Sequence, residues 1–320
     1  MSTQAHQVSI VIPLYNEALI IRSLVDRIEG AMKPLGISYE LILVNDGSTD
    51  ATEQAITECR AEHPNIFYIN LSRNFGHHNA IRAGLDYAHG ECVIMMDGDL
   101  EHPPELLPAL IREWQNGFYI VNTKRIDTSH QSYFKKKSST LFYKILNALS
   151  GLHIEDGSAD FRLIDRKIVN IIRKLNEPDL FMRGIVHWLG FKETSLEYVR
   201  GERYAGSTKY TKKKMLRLAI YGITAFSTKP LYLSVYMGLF FIFLSSLLVP
   251  YVLWSYFFGS VEKGWSSMML VIGFFGGLQL MNIGIIGVYL GNVFKQSKQR
   301  PHYFIESSNI QSANDDLINN

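Results

Sequence analysis

The sequence predicts an α/β domain with a mostly parallel sheet and helices on both faces, followed by a hairpin of two membrane-spanning helices. Three observations predict this class. Short apolar runs alternate with helix-period segments up to about residue 125, polar motifs follow several of those runs, and two long uncharged runs lie near the end of the chain. In such sheets, ligands bind beyond the carboxyl ends of the strands.

Compact apolar runs, rich in valine and isoleucine and bounded by turn residues, predict five strands. These strands are Val8–Leu14, Glu40–Val44, Ile66–Leu71, Cys92–Met96 and Tyr119–Val121. Between and after them, helical periodicity predicts four helices. The helices lie near 17–33, 49–62, 78–88 and 104–116.

Two runs near the end of the chain, Pro230–Val261 and Gly264–Phe294, contain no charged residue. Each is longer than the roughly 20 residues that cross a hydrocarbon core of ~30 Å. We therefore predict two transmembrane helices, at about 232–257 and 266–292. Basic residues before the first run and after the second predict that the first domain and both termini lie in the cytoplasm. These residues are Lys209, Lys212, Lys213, Lys214, Arg217, Lys229, Lys295, Lys298 and Arg300.

Four shorter segments complete the predicted organisation. Residues 211–229 read as a juxtamembrane interfacial helix, and 295–320 as a cytoplasmic tail with a disordered end. An apolar stripe beside lysines within 132–150 fits either a surface helix on the sheet or a helix near the bilayer. The polar start, Met1–Gln7, leads straight into a strand and predicts no signal peptide.

Composition excludes several classes of protein. A net charge of +2 without a basic stripe predicts no nucleic-acid partner. Cys59 and Cys92 have no metal-ligand spacing, and Cys92 reads as a buried strand residue. The glycine-rich patterns of dinucleotide sites and of P-loops are absent.

Asp97 and Asp99 flank Gly98 directly after the fourth predicted strand. Two carboxylates so close repel each other unless a cation neutralises them. A nucleotide diphosphate also carries concentrated negative charge, and Mg²⁺ or Mn²⁺ can bridge the two through oxygen ligands. A solvated turn is the alternative, but the position after a buried strand favours a metal site.

The first two predicted strands deliver polar side chains to the same edge. Asn16 and Glu17 follow the first strand, and Asp46 follows the second. An acidic residue at the end of a second strand is well placed to accept hydrogen bonds from a nucleoside. Together with Asp97 and Asp99, these side chains predict a nucleotide site.

These motifs resemble glycosyltransferase family 2, whose GT-A domain is Rossmann-like. The matching segments are VSIVIPLYNE, ELILVNDGSTDAT, RNFGHHNAIRAGL, MDGDLEHPPE, DGSADFRLIDR, FMRGIVHWLGF, VRGERYAGSTKY and GVYLGNVFKQSKQRPHYF. They extend from about 8 to 304 and resemble bacterial polyprenyl-phosphate glycosyltransferases, which are related to dolichyl-phosphate mannose synthase. The nearest group is the bactoprenol glucosyltransferases of O-antigen modification.

The resemblance implies a GT-A catalytic domain over 1–210. It also implies inverting transfer of a sugar, with glucose as the expected sugar, from a UDP-sugar to undecaprenyl phosphate. It implies Mg²⁺ or Mn²⁺ as cofactor and a multi-pass protein of the bacterial inner membrane, acting on its cytoplasmic face. The product would serve later modification of cell-envelope glycans such as lipopolysaccharide.

The resemblance also implies roles for individual residues. Nucleotide contacts would come from Pro13, Tyr15, Asn16, Glu17, Asp46 and Asp97. Metal and diphosphate contacts would come from Asp97 and Asp99, and Asp160 would be the active-site carboxylate often proposed as a base. Phosphate of the acceptor or leaving group would be bound by Arg162, Arg200, Arg203 and Lys209.

Two positions depart from the family pattern. His102 stands where many relatives have aspartate, and it reads as a metal neighbour or as a surface histidine beside prolines. His77 and His78 replace a common Lys-Glu pair, which leaves the donor contacts of that loop open. A phosphate acceptor with a second pKa near 6 is already largely ionised at neutral pH. We therefore expect Asp160 to position the donor sugar or the metal as much as to remove a proton.

Several alternatives stay open. Arginine's planar fork suits phosphate, but Arg200 and Arg203 also fit a basic flank that attracts lipid headgroups. An aminoarabinose-type or mannose-type transferase is the close enzymatic alternative, whereas a processive synthase lacks its Gln-x-x-Arg-Trp motif here. A non-catalytic nucleotide-sugar binding protein tethered to the membrane is the alternative of another class. Small residues along the second span permit close helix contact, within the hairpin or in a homo-oligomer.

Overall fold

The computed structural model describes residues 6–126, 158–175, 177, 182–199, 224, 227–258 and 264–311. The predicted helix within 132–150, most of the juxtamembrane segment 211–229, and Arg200, Arg203 and Lys209 lie outside the described residues. The chain divides into two compact units. The first comprises Met1–Lys144, His153–Tyr210 and Gln299–Asn320, and the second comprises Ile145–Leu152 and Thr211–Lys298.

The first half of the first unit alternates strands and helices as predicted. Its strands are β1 (Val8–Leu14), β2 (Tyr39–Asn45), β3 (Ile66–Leu71), β4 (Cys92–Met95) and β5 (Ile120–Ile126). Its helices are α1 (Ile21–Met32), α2 (Thr52–Glu62), α3 (His77–Tyr87) and α4 (Leu107–Gln115). Strands β4, β1, β2 and β3 pair in parallel in that order. Their carboxyl ends therefore meet at one edge of the sheet.

The remaining elements of the first unit complete an eight-stranded sheet in the part of the chain that the structure describes. They are β6 (Ser158–Asp165), α5 (Arg166–Lys174), α6 (Met182–Trp188), β7 (Glu193–Val199) and β8 (Ile305–Ser308). The order is β7-β5-β6-β4-β1-β2-β3-β8. Strand β6 is antiparallel to both β4 and β5, and β8 is antiparallel to β3. The sheet is thus mostly parallel with two antiparallel additions.

Helices cover the central strands closely. All seven residues of β1 are buried, as expected for a strand with helices on both faces. At Gly84 of α3, an added Cβ would lie 2.2 Å from Cγ1 of Val11, so only glycine permits this helix–sheet approach. Cys92 is buried in β4 as predicted, and Cys59 is also buried and free.

The second unit contains two long helices, α7 (Lys229–Phe258) and α8 (Trp265–Ser297). Both occur where the apolar runs predict helices. In the part of the chain that is described, one segment, Phe274–Ser297, is long and apolar enough to cross a membrane. Large apolar side chains such as Leu280 and Leu290 are exposed along it, which suits a lipid environment. The first of the two predicted crossings stays a prediction.

Candidate active site

The loops after β1 and β2 are joined by hydrogen bonds. The side-chain oxygen of Asn16 accepts the Thr49 N–H at 2.8 Å, and the Ser48 hydroxyl accepts the Asn16 N–H at 3.0 Å. The Glu17 N–H donates to the Thr52 hydroxyl at 2.9 Å. Asn16 adopts a left-handed backbone conformation (φ 57°), which asparagine tolerates better than most residues. The Asn16 side chain therefore already stabilises the loop from which it is predicted to contact a nucleotide.

Asp46 organises a third loop at this edge. Its carboxylate accepts the Phe75 N–H at 2.7 Å and the Gly76 N–H at 3.0 Å. Burial raises the pKa of Asp46 above its ordinary value, although these two bonds oppose the shift. Gly47 has φ +62°, and a Cβ there would lie 2.3 Å from the Arg73 carbonyl carbon. The close approach of these two loops therefore requires glycine.

Asp97, Gly98 and Asp99 follow β4 at the same edge. An added Cβ at Gly98 would lie 2.4 Å from Cδ2 of Leu14, so the motif packs directly on the end of β1. One carboxylate oxygen of Asp99 accepts the Glu101 N–H at 3.0 Å. The Oδ1 atom of Asp97 is buried and accepts no hydrogen bond from the residues that the structure describes. A buried carboxylate oxygen without a donor is stabilised by a cation.

This donor set fits a divalent metal bound together with a ligand. Asp97 and Asp99 offer the oxygen atoms that Mg²⁺ and Mn²⁺ prefer. Within the described ranges, no group of three or more histidine, cysteine or acidic side chains is placed to hold a metal by itself. A metal at this edge would therefore need oxygen atoms from a diphosphate and from water to complete its coordination.

His102 is buried behind the acidic motif, so the surface alternative for this residue is wrong. Its ring stacks on Phe161, with centroids 5.1 Å apart, and meets the Tyr198 ring edge-on at 6.0 Å. Its Nδ1 accepts the Asp97 N–H at 3.0 Å, which places the proton of the neutral ring on Nε2. Burial raises the pKa of Tyr198 to about 12, and the nearby aspartates add to that shift. The aromatic cluster thus holds the backbone of the acidic motif.

His77 approaches the same motif from α3. Its Nε2 lies 3.4 Å from Oδ1 of Asp97, and the Nε2 of His102 lies 3.7 Å from Oδ2. Two imidazoles therefore flank one carboxylate. The sequence left the contacts of His77 open, and the structure places this side chain beside the acidic motif.

Asp160, near the start of β6, lies at the same end of the sheet, because Arg162 pairs with Met95 just before the acidic motif. Arg183 of α6 donates two hydrogen bonds of 2.9 Å to the two carboxylate oxygens of Asp160. Burial raises the pKa of Asp160, but the facing Arg183 and Arg162 more than offset it and hold the pKa well below its ordinary range. A carboxylate held in this way binds a proton weakly.

Arg162 does not fit the predicted contact with diphosphate. Its side chain is completely buried, and it donates to the Ala159 carbonyl at 2.8 Å and to the Met182 carbonyl at 3.4 Å. The guanidinium therefore joins β6 to α6 and lies 3.8 Å from Asp160. Its charge acts on Asp160 and not on an anion at the surface.

The other predicted site residues differ in whether they are buried, exposed or outside the described residues. Pro13 is buried within β1, where it pairs with Val44 of β2, and Tyr15 is 39% exposed at the edge. Arg200, Arg203 and Lys209 lie outside the described residues, so their phosphate contacts stay predictions. Arg183 had no role in the sequence-based site, although the segment FMRGIVHWLGF that contains it carried part of the family resemblance.

The fold and the site together define an α/β domain that presents paired carboxylates at the carboxyl edge of its sheet. The chain belongs to glycosyltransferase family 2, whose family model, described as glycosyl transferase family 2, matches residues 9–172. Its sheet and helices form the GT-A fold of that family.

Relatives match nearly the whole chain. A bactoprenol glucosyl transferase of Shigella phage SfV is 39% identical over 94% of this chain and 98% of its own length. An uncharacterized glycosyltransferase of Bacillus subtilis is 41% identical over 94% of both chains. Among solved structures, glucosyl-3-phosphoglycerate synthase from Mycobacterium tuberculosis, in complex with Mn²⁺, UDP and phosphoglyceric acid, is 18% identical. It has a TM-score of 0.48 and covers 68% of this chain and 76% of that chain.

The contact between His102 and the acidic motif predicts a difference between two similar variants. In His102→Asn, the amide oxygen can take the place of Nδ1 as acceptor for the Asp97 N–H, whereas in His102→Gln it cannot reach that position. A buried N–H without an acceptor costs about 1–3 kcal/mol. We therefore expect His102→Gln to lower the free energy of unfolding by at least about 1 kcal/mol more than His102→Asn, as measured by chemical denaturation. Equal losses would mean that ring stacking alone makes His102 important.

Proposed function

We propose that this protein transfers a sugar, most simply glucose, from a UDP-sugar to a polyprenyl phosphate, and that undecaprenyl phosphate is the acceptor. The reaction inverts the anomeric centre and takes place at the cytoplasmic face of the bacterial inner membrane. Its product is a polyprenyl-phosphate sugar for later modification of cell-envelope glycans, such as O-antigen.

One observation carries the proposal: Asp97 and Asp99 lie together at the edge of a family 2 domain, and one buried oxygen of Asp97 accepts no hydrogen bond from the residues that the structure describes. A divalent metal bound together with a diphosphate would place a positive charge beside this oxygen. The relatives named bactoprenol glucosyl transferases support glucose as the sugar and a lipid phosphate as the acceptor. The apolar segment Phe274–Ser297 supports a membrane location.

The chemistry divides among a few groups. Asp97 and Asp99 would hold Mg²⁺ or Mn²⁺, and the metal when bound neutralises charge on the leaving diphosphate. The acceptor phosphate is already ionised at neutral pH, so transfer depends mainly on its position relative to the anomeric carbon. Asp160, kept ionised by Arg183, positions the donor sugar or the metal instead of removing a proton.

The remaining elements of the proposal concern the acceptor and the membrane. Arg200, Arg203 and Lys209 bind the acceptor phosphate, since they precede the membrane segment that the lipid must approach. The helices α7 and α8 both cross the membrane and leave the catalytic domain and both termini in the cytoplasm. A homo-oligomer is proposed from the small residues along α8, which permit close helix contact.

A transfer assay tests this function. The full chain in detergent is mixed with radiolabelled UDP-glucose, UDP-galactose, UDP-N-acetylglucosamine or GDP-mannose and with undecaprenyl phosphate, with Mn²⁺, Mg²⁺ or EDTA. We expect label to enter the lipid fraction from UDP-glucose only when a divalent metal is present.

Each other outcome points to a different function. Transfer from UDP-galactose, UDP-N-acetylglucosamine or GDP-mannose would replace the donor but keep the reaction class. Binding of UDP without transfer to any lipid would favour the non-catalytic nucleotide-sugar binding protein. Transfer that persists in EDTA would contradict the role of the metal.

A further inference from the structure

The segment that follows α8 returns to the sheet of the first unit. Residues 303–309, here called the C-terminal strap, contain β8, which pairs antiparallel with the outer edge of β3. The Tyr68 N–H donates to the Asn309 side chain at 2.7 Å, and the Asn309 N–H donates to the Tyr68 carbonyl at 3.3 Å. Beyond β3, the Ser72 N–H donates to the Phe304 carbonyl at 3.0 Å. The strap therefore occupies this sheet edge up to the loop that begins at Ser72.

Phe304 connects the strap to Asp46 through one aromatic contact. Its ring lies 6.1 Å from the ring of Phe75, and the Arg73 guanidinium lies 4.0 Å from the centre of the Phe75 ring. The N–H groups of Phe75 and of the next residue, Gly76, are the two donors to the Asp46 carboxylate. The conformation that presents Asp46 therefore depends on a loop that the Phe304 ring contacts.

Ser307 connects the strap to the loop after β2 through buried amides. Asn70 donates to the Ser307 hydroxyl at 2.9 Å, and Asn45 donates to the Asn70 side-chain oxygen at 3.2 Å. The Asn45 side-chain oxygen in turn accepts the Ser48 N–H at 3.0 Å. Asn45 and Asn70 are buried, so each amide needs these partners. The chain of bonds ends in the turn that contains Asp46.

Tyr303 attaches the start of the strap to α3. Its hydroxyl donates to the Asp86 carboxylate at 2.8 Å, and burial raises the pKa of Asp86. The amino-terminal end of α3 carries His77, which lies beside Asp97. The side-chain contacts of Tyr303, Phe304 and Ser307 thus lead to elements that carry the candidate donor site.

We propose that the C-terminal strap is part of the donor-binding site, and that Phe304 and Ser307 are positioning residues for the loops that receive a nucleoside diphosphate. The inference rests on the proposed function, because it assumes that Asp46, Asp97 and Asp99 bind a nucleoside diphosphate. A loop that is ordered before binding loses less entropy when the ligand binds. If the strap contacts are lost and the competent loop conformation becomes ten times rarer, the apparent Kd rises about tenfold.

The test uses the full chain in detergent and the double variant Phe304→Ala, Ser307→Ala. Phe304 is 56% exposed, so its removal leaves the core intact. We expect the Kd for UDP in the presence of Mn²⁺ to rise about tenfold, and the KM for undecaprenyl phosphate to stay within about twofold. Hydrogen exchange of peptides covering 72–77 should become faster, whereas peptides from β1 should not change. Glu306→Gln, an exposed change on the same strand, is the matched control.

Two results would overturn the inference. One is an unchanged Kd for UDP with unchanged exchange over 72–77 in the double variant. The other is a rise in the Kd for UDP and in the KM for the lipid together with faster exchange across the whole sheet, which would make the strap a general stabilising strand. If the unmodified protein binds no UDP, the proposed function fails, and the exchange of 72–77 still decides whether the strap positions that loop.

Discussion

Replacing Asp99 with asparagine is expected to lower kcat/KM for sugar transfer by about 10³-fold. The amide keeps an oxygen that can accept the Glu101 N–H, so the loop conformation is retained, but the charge that would hold the metal is lost. Metal stabilisation of a leaving diphosphate contributes several kcal/mol, and each 1.36 kcal/mol changes the rate tenfold. The measurement is the initial rate with UDP-glucose over a range of Mn²⁺ concentrations, together with the Kd for Mn²⁺ in the presence of UDP.

Asp26→Asn provides the control for Asp99→Asn. Asp26 lies on the exposed side of α1, and the change removes the same charge without touching the site. Asp97→Asn should lower kcat/KM as Asp99→Asn does, because it removes the charge from a carboxylate whose buried oxygen accepts no hydrogen bond from the described residues. Retention of more than a tenth of the activity in Asp99→Asn would contradict the assignment of this carboxylate to the metal. If Asp99→Asn also lowered the melting temperature, its loss of activity would be assigned to impaired folding instead.

The central strands and the acidic motif could be predicted because their signals are local. Strands buried on both faces read as mostly apolar runs, and β1 is such a run, buried over its whole length, with Ser9 as its one polar residue. Paired aspartates after such a run are recognisable because they repel each other unless something compensates their charge. The reason for Gly98 is not local, and only the structure gives it: a side chain there would meet Leu14 at the end of β1.

The elements that sequence reasoning missed depend on partners far away in the chain. Strand β8 is four residues long with alternating exposure, and such a segment has no signal of its own above a polar tail. It forms because β3 presents an open edge to it. His102 stands beside a proline and reads as a surface residue, yet Phe161 and Tyr198 from two later strands bury it. The role of Arg183 is visible only in the structure, where its side chain donates to Asp160.

The second large effect is expected at the pair formed by Asp160 and Arg183. Arg183→Met should lower the free energy of unfolding by about 3 kcal/mol, because it leaves a mostly buried carboxylate without its main partner. The two side chains are only 14% and 24% exposed, so water compensates little of the loss. Turnover should fall by about 10²-fold, since a carboxylate displaced by about 1 Å no longer positions its ligand. Urea denaturation and initial rates measure the two effects.

Two further variants separate charge from geometry. Arg183→Lys keeps a cation but loses the planar fork that donates both hydrogen bonds, so it should recover part of the stability and little of the turnover. Asp160→Asn combined with Arg183→Met should cost less stability than the sum of the single changes, because the two residues form one interaction. Strict additivity would mean that Arg183 acts elsewhere than on Asp160. Unchanged affinity for UDP-glucose and for the metal in an inactive Asp160→Asn variant would contradict the positioning role of Asp160.

The pH dependence of stability tests whether the loss of the Arg183 charge causes the lower free energy of unfolding in Arg183→Met. A carboxyl group whose pKa is depressed in the folded state stabilises the fold above its unfolded pKa of about 3.9 and loses this contribution as the pH falls through the folded value. Without Arg183, burial raises the pKa of Asp160 and is opposed by Arg162 and, more weakly, by His77. The carboxyl group of the variant therefore takes up a proton at a higher pH than in the unmodified protein. The difference in unfolding free energy between the two proteins should therefore be constant between about pH 6 and 8 and should narrow as the pH falls toward about 4. A difference that stays constant down to that pH would assign the loss to the packing of the arginine stem and not to its charge.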